Sequence, residues 1–107
     1  MDTWEYKTEM ELLATLKAGF NDGSFNKNFL HFKNVDFLIV DEMGKTNGSE
    51  FDKSTIFDIL NHRYMWQKQT ILICNAKNKE EVKQILTPAI VDRYRGYSHH
   101  FDGKTQR

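Results

Sequence analysis

The sequence predicts an α/β domain built on a parallel sheet, and three observations carry that prediction. Phe37 to Val40 and Ile71 to Cys74 are unbroken apolar runs, as expected of strands buried on both faces beneath covering helices. Segments with apolar residues at helical spacing stand before, between and after these runs. Helix-start signals mark where those segments begin.

The first helix is predicted over residues 9–20: Thr8 and Glu11 form a capping box, and Leu12, Leu13, Leu16 and Phe20 share one face. Asn21-Asp22-Gly23-Ser24 ends it and opens a loop. A strand follows at about 35–41, then a loop rich in Gly, Thr, Asn and Ser at 44–49. A second helix is expected at about 53–67, burying Ile56, Ile59, Leu60 and Tyr64. The second strand covers about 70–74 and ends at Asn75. Asn78 and Glu81 signal another helix, with Val82, Ile85 and Leu86 inward. Thr87 then restarts a short helix as N-cap, with Pro88 at its first position, to about residue 95. Gly96 closes it, and 97–101 reads as a last strand.

Composition narrows the class. At 107 residues the chain is one domain at most, and 39% hydrophobic with 28% charged residues describes a globular chain. Lys+Arg and Asp+Glu are equal at 15 each, so net charge gives no argument for nucleic acid. A lone cysteine, Cys74, excludes an intrachain disulfide framework and fits a reducing cytoplasm. No apolar run approaches the roughly 18 residues of a membrane span, and the acidic start is not a signal peptide; a cytoplasmic location is the expectation.

The candidate chemistry sits where the first apolar run meets Asp41 and Glu42. Such a strand delivers its last residues to the carboxyl edge of the sheet, where open α/β folds place ligands. Two carboxylates there match a nucleotide hydrolase, one holding a hydrated Mg²⁺ and the next orienting or deprotonating water. An apolar strand running into Asp-Glu in a solvated loop is also common, so the pair alone admits both readings.

Further positions fall into register with it: Asn75 at the end of the second strand, Val91-Asp92-Arg93-Tyr94-Arg95 on the late helix, and the closing Gly103-Lys-Thr-Gln-Arg107. Together these resemble the AAA+ ATPase domain of bacterial replicative helicase loaders (the DnaC/DnaI type) and of their relatives, the IstB-like transposase-helper ATPases. The resemblance implies a partial P-loop NTPase fold. It makes Asp41 and Glu42 the Walker B pair and Asn75 sensor 1. Arg93 becomes the finger that completes a neighbouring subunit's ATP site, with Arg95 in reserve. It also implies ATP and Mg²⁺ as the intact family's cofactors.

One part of that machinery has no counterpart. A phosphate cradle needs G-x-x-x-x-G-K-[ST], and Gly44-Lys45-Thr46 and Gly103-Lys104-Thr105 have Ile39 and Ser98 where the first glycine belongs. In the family the P-loop, its strand and its helix precede the segment that begins here. The resemblance therefore implies a truncated chain that alone neither binds ATP tightly nor hydrolyses it. It also implies a sheet whose sensor strand either pairs with the last strand or leaves an apolar edge open to another chain.

Plainer readings stand beside these. Asn75 can cap a turn, and Arg93 and Arg95 can be a solvated helix end, where cations suit the dipole. His99 and His100 are adjacent, so on a strand they point to opposite faces; with His31 and His62 distant, no zinc site is expected. Cys74 reads as a small buried strand residue. Arg63, Tyr64, Trp66 and Lys68 mix rings with positive charge, suiting either single-stranded DNA or, more plainly, the core edge and wet face of a helix. The function expected is that of an ATPase-deficient replication protein, of compact phage or prophage type, acting on an intact loader or a replicative helicase complex. The alternatives are a C-terminal piece of an active ATPase with its P-loop upstream, and a decayed remnant.

Overall fold

The computed structural model describes residues 3–45, 48–76 and 78–94. Their order is β1 (Trp4–Thr8), α1 (Glu9–Asp22), α2 (Phe25–Asn34), β2 (Phe37–Met43), α3 (Glu50–Met65), β3 (Gln69–Cys74) and α4 (Lys79–Tyr94). The strands form one parallel sheet in the order β1-β2-β3, with β2 central. Helices make both crossovers, as parallel neighbours require. No described helix is long and apolar enough to cross a membrane.

Two elements go beyond the sequence reading. β1 alternates Trp4, Tyr6 and Thr8 with Glu5 and Lys7, a strand period too short and too polar to stand out. α2 replaces the expected loop. Gly23, at φ 82°, caps α1 by donating its N–H to the Gly19 carbonyl at 2.9 Å, and only Ser24 separates that cap from the next helix. The joint is close: a Cβ on Gly19 would lie 2.5 Å from the Phe25 nitrogen.

The local signals for the other helices are present as hydrogen bonds. Thr8 Oγ1 accepts from the Glu11 N–H at 3.0 Å, and Glu11 Oε1 accepts from the Thr8 N–H at 3.0 Å. Ser49 and Asp52 form the same reciprocal box at the start of α3. In α4 the Asn78 side chain accepts from the Glu81 N–H at 2.9 Å. Thr87, at φ 69°, breaks that helix, and its Oγ1 accepts from the Ile90 N–H at 3.4 Å as the chain restarts at Pro88.

The core lies on one face of the sheet. Leu12, Leu13 and Leu16 of α1, Phe32 of α2, Leu38 and Val40 of β2, and Ile56, Ile59 and Leu60 of α3 close it. The other face is not covered in the same way. In the register Tyr6, Ile39 and Ile71 are neighbours, and Trp4 (66% exposed), Tyr6 (47%), Ile71 (43%) and Ile73 (43%) remain open. The expectation of strands buried on both faces is thus corrected: successive residues alternate faces, and the described core fills only one.

Two helix faces also differ from expectation. Phe20 is exposed, stacking on Phe25 with ring centroids 5.1 Å apart. On α3 it is Arg63, not Tyr64, that is buried. Its Nε donates to Thr70 Oγ1 at 2.8 Å, Nη1 to the carbonyls of Phe32 (3.0 Å), Lys33 (3.3 Å) and Val35 (2.7 Å), and Nη2 to that of Gln69 (2.8 Å). The acceptors on α2 are the last carbonyls of that helix, which have no partner within it. Burial lowers the Arg63 pKa from its ordinary value, with Tyr94 and Asp36 opposing.

Candidate functional site at the carboxyl end of the sheet

Asp41 and Glu42 lie inside β2, which runs to Met43 rather than ending at 41. Val40 pairs with Leu72 and Met43 with Cys74, so both carboxylates face one residue, Ile73, across a register slip. That slip decides which side chain enters the core. Leu38 and Val40 are buried, and strict alternation would bury residue 42 next. The extra residue shifts the parity, so Met43 is buried and Glu42 is exposed. Glu42 takes a left-handed backbone for this, at φ 54°.

Three side-chain bonds surround the bulge. Asp41 Oδ1 accepts from the Glu42 N–H at 2.7 Å. Asp41 Oδ2 accepts the phenolic O–H of Tyr6, a residue sequence reasoning missed. The alternation of β1 was the available signal, since it puts a tyrosine two positions before the Thr8 cap. Glu9 Oε1 accepts from the Gly44 N–H at 2.8 Å, tying the segment after β2 to the start of α1. The Tyr6 pKa is raised first by its hydrogen bond to Asp41, then by burial and by the charges of Asp41, Glu42 and Glu11.

Asn75 follows β3, the strand beside β2, and so stands at the same edge, exposed. Cys74, half-buried, has its thiol pKa raised by burial and by Glu81. Arg93 belongs elsewhere. Its guanidinium lies 5.5 Å from the Tyr64 ring centre and Nη1 donates to the Ala89 carbonyl at 3.3 Å, while Tyr94 O–H donates to the Leu60 carbonyl at 2.8 Å. Tyr64 is in the last turn of α3, a helix that starts at the carboxyl side of the sheet. The structure therefore gathers Asp41, Glu42 and Asn75 at one edge and puts Arg93 on α4 against the far end of α3. Arg95, the 97–101 strand, His99, His100 and the 103–107 signature lie outside the described residues.

The group of ring-bearing and basic residues also changes. Arg63 is wholly enclosed and cannot contact DNA, whereas Trp66 is 69% exposed. His31 pairs with Glu5 at 3.0 Å. Among the described residues no three His, Cys, Asp or Glu side chains converge on a metal position. The donor set at Asp41 and Glu42, two hard carboxylates, fits a Mg²⁺ delivered on phosphate oxygens and not one caged by protein alone.

Residues 3–106 match the family model of the IstB-like ATP binding proteins. The replicative helicase loader DnaC of Escherichia coli K12 is 30% identical over 90 residues, covering 82% of this chain and 36% of the loader. DnaC of Buchnera aphidicola from Acyrthosiphon pisum is 30% identical over 91 residues, with 82% and 37% covered. The chain thus spans about a third of the length of these relatives. In fold, a crystal structure of the DnaC helicase loader superposes with a TM-score of 0.72 at 21% identity, over 88% of this chain and 58% of that one. AMPPCP-bound DnaA from Aquifex aeolicus gives 0.73 at 22% identity, over 94% and 31%.

Proposed function

The chain belongs to the IstB-like ATP-binding family, and on that premise we propose that it is a helicase-loader-like replication protein lacking ATPase activity of its own. It acts through contacts with an intact loader or a replicative helicase complex. The observation that carries this reading is the carboxyl edge of the sheet. Asp41 and Glu42 are presented there on a bulge beside Asn75, yet no G-x-x-x-x-G-K-[ST] cradle occurs in the 107 residues. Asp41 would organise a phosphate-borne Mg²⁺, Glu42 would orient water, and Asn75 would place it. Phosphoryl transfer is positioning plus electrostatics, so half the apparatus gives no turnover alone. Arg93, remote from these carboxylates within one chain, acts on a neighbour's nucleotide.

The test is nucleotide binding and ATP turnover by the purified chain, alone and mixed with an intact loader. No turnover alone, altered turnover in the mixture, and loss of that change in Arg93→Ala are expected. Tight binding and turnover by the chain alone would overturn the reading. The coverage of only 36% of the E. coli relative favours a second one, in which these residues serve a longer ATPase with its P-loop upstream. A P-loop encoded just upstream, and turnover by the joined polypeptide, would support it.

A further inference from the structure

Tyr6 has no role in the machinery assigned above. It sits on β1 in the row of Ile39 and Ile71, and its side chain reaches along the strand to Asp41. Both oxygens of that carboxylate are engaged: Oδ1 by the Glu42 N–H at 2.7 Å, Oδ2 by the Tyr6 phenol. The first bond belongs to the bulge and cannot be released without remaking the backbone. The second can. Tyr6 is 47% exposed on the uncovered face of the sheet, so its ring can turn into solvent without opening the core.

A cation, or the water molecules it carries, needs carboxylate lone pairs as acceptors, and a phenol donor on Oδ2 competes for them. We propose that Tyr6 is a latch on Asp41, holding Oδ2 until a divalent cation displaces the phenol. Tyr6 is thus a positioning residue that acts through Asp41. The proposal rests on Asp41 being the metal-organising carboxylate, and it adds that this chain tunes how readily Asp41 takes up that role.

The test uses Mn²⁺ alone as probe, titrated into the ¹⁵N-labelled full chain, with paramagnetic broadening of the Glu42 and Met43 amides as the readout. Tyr6→Phe keeps the ring and removes only the hydroxyl. It should reach half-broadening at on the order of tenfold less Mn²⁺ than the unaltered chain, the scale of one hydrogen bond to a charged group. Unshifted amides of the core residues Leu12, Leu38 and Ile59 would show that the fold is retained. In Tyr6→Phe/Asp41→Asn the gain should vanish. Equal titration of the unaltered chain and Tyr6→Phe, with broadening lost in Asp41→Asn, would overturn the latch and leave Asp41 as the cation-binding residue. Broadening that persists in Asp41→Asn would overturn both the latch and the assignment of Asp41. Neither result depends on the loader-mixing assay, so the two proposals can fail separately.

Discussion

The two ends of this sheet are built on opposite terms. Where the strands start, one buried cation closes the structure: Arg63 donates five hydrogen bonds to α2, to the segment after it and to β3. Where the strands finish, two carboxylates stand on a bulge with a left-handed residue, and the bonds that hold them are exposed. At the starting end Arg63 alone bonds the carbonyls of Phe32, Lys33, Val35 and Gln69. The finishing end keeps acceptors at the surface and takes on backbone strain to do so. In small α/β domains stability and chemistry can be assigned to opposite edges, because strand direction delivers all C-terminal residues to one of them.

Breaking the sealed end should have the largest effect. Arg63→Ala leaves the carbonyls of Phe32 and Val35 buried without this donor and the part-buried one of Gln69 unpaired from it, at a cost of about 3–5 kcal/mol. A domain of this size has roughly 5–15 kcal/mol in all, so a urea titration should find the variant largely unfolded or close to it. Arg63→Lys should recover little, since an ammonium cannot span acceptors on α2 and β3 as the planar fork does. A variant within about 0.5 kcal/mol of the parent would show that the network contributes little beyond solvation.

At the open end the sharpest packing contact is at Gly44. Its φ is +88°, and an added Cβ would come within 2.5 Å of Ile85 Cγ2 on α4. Gly44→Ala should cost about 1–3 kcal/mol, part from the positive φ and part from displacing Ile85. Adding Ile85→Ala separates the two, since only the clash is relieved in the double variant. A double-variant cycle with no coupling would assign the whole effect to the backbone.

How much of this was legible in the sequence follows the same division between local and distant causes. The capping signals at Thr8, Asn78 and Thr87 were readable because both partners lie within three residues of each other. β2, and with it the position of Asp41 and Glu42, was readable from an unbroken apolar run. β1 was not, since its large side chains, Trp4 and Tyr6, point to an open face and leave no hydrophobic signature. Arg63 was misread as wet because its acceptors at Phe32 and Val35 are about thirty positions away. The bulge did leave a trace: Met43 is apolar but out of step with Leu38 and Val40, and only a slipped register puts all three inside.

A smaller effect with a pH signature belongs to Asp52, where α3 begins on the carboxyl side. The Lys17 ammonium, 2.7 Å away, and the Ser49 amide hold its pKa below the ordinary carboxylate value. A carboxyl depressed in the folded state contributes stability that is complete above its unfolded value, about 3.9, and is lost as pH falls through the native one. Asp52→Asn should therefore cost about 1 kcal/mol near neutrality. The gap to the parent should close as pH drops below that window, as read by urea midpoints from pH 7 to 2. A gap that stays constant across the range would remove the charge from the explanation and leave only the cap.

The smallest change tests the strain itself. Glu42 holds φ 54°, where a Cβ is disfavoured by roughly 1 kcal/mol and glycine is not. Both Glu42→Ala and Glu42→Gly remove the carboxylate, so comparing the two isolates the backbone. Glycine should be the more stable by about 0.5–1 kcal/mol, even though a strand interior ordinarily favours alanine. If alanine is the more stable, the bulge is relaxed and Glu42 sits outward at no cost. If glycine is, the fold gives up stability at this one residue to keep Met43 in the core and an acidic side chain at the surface.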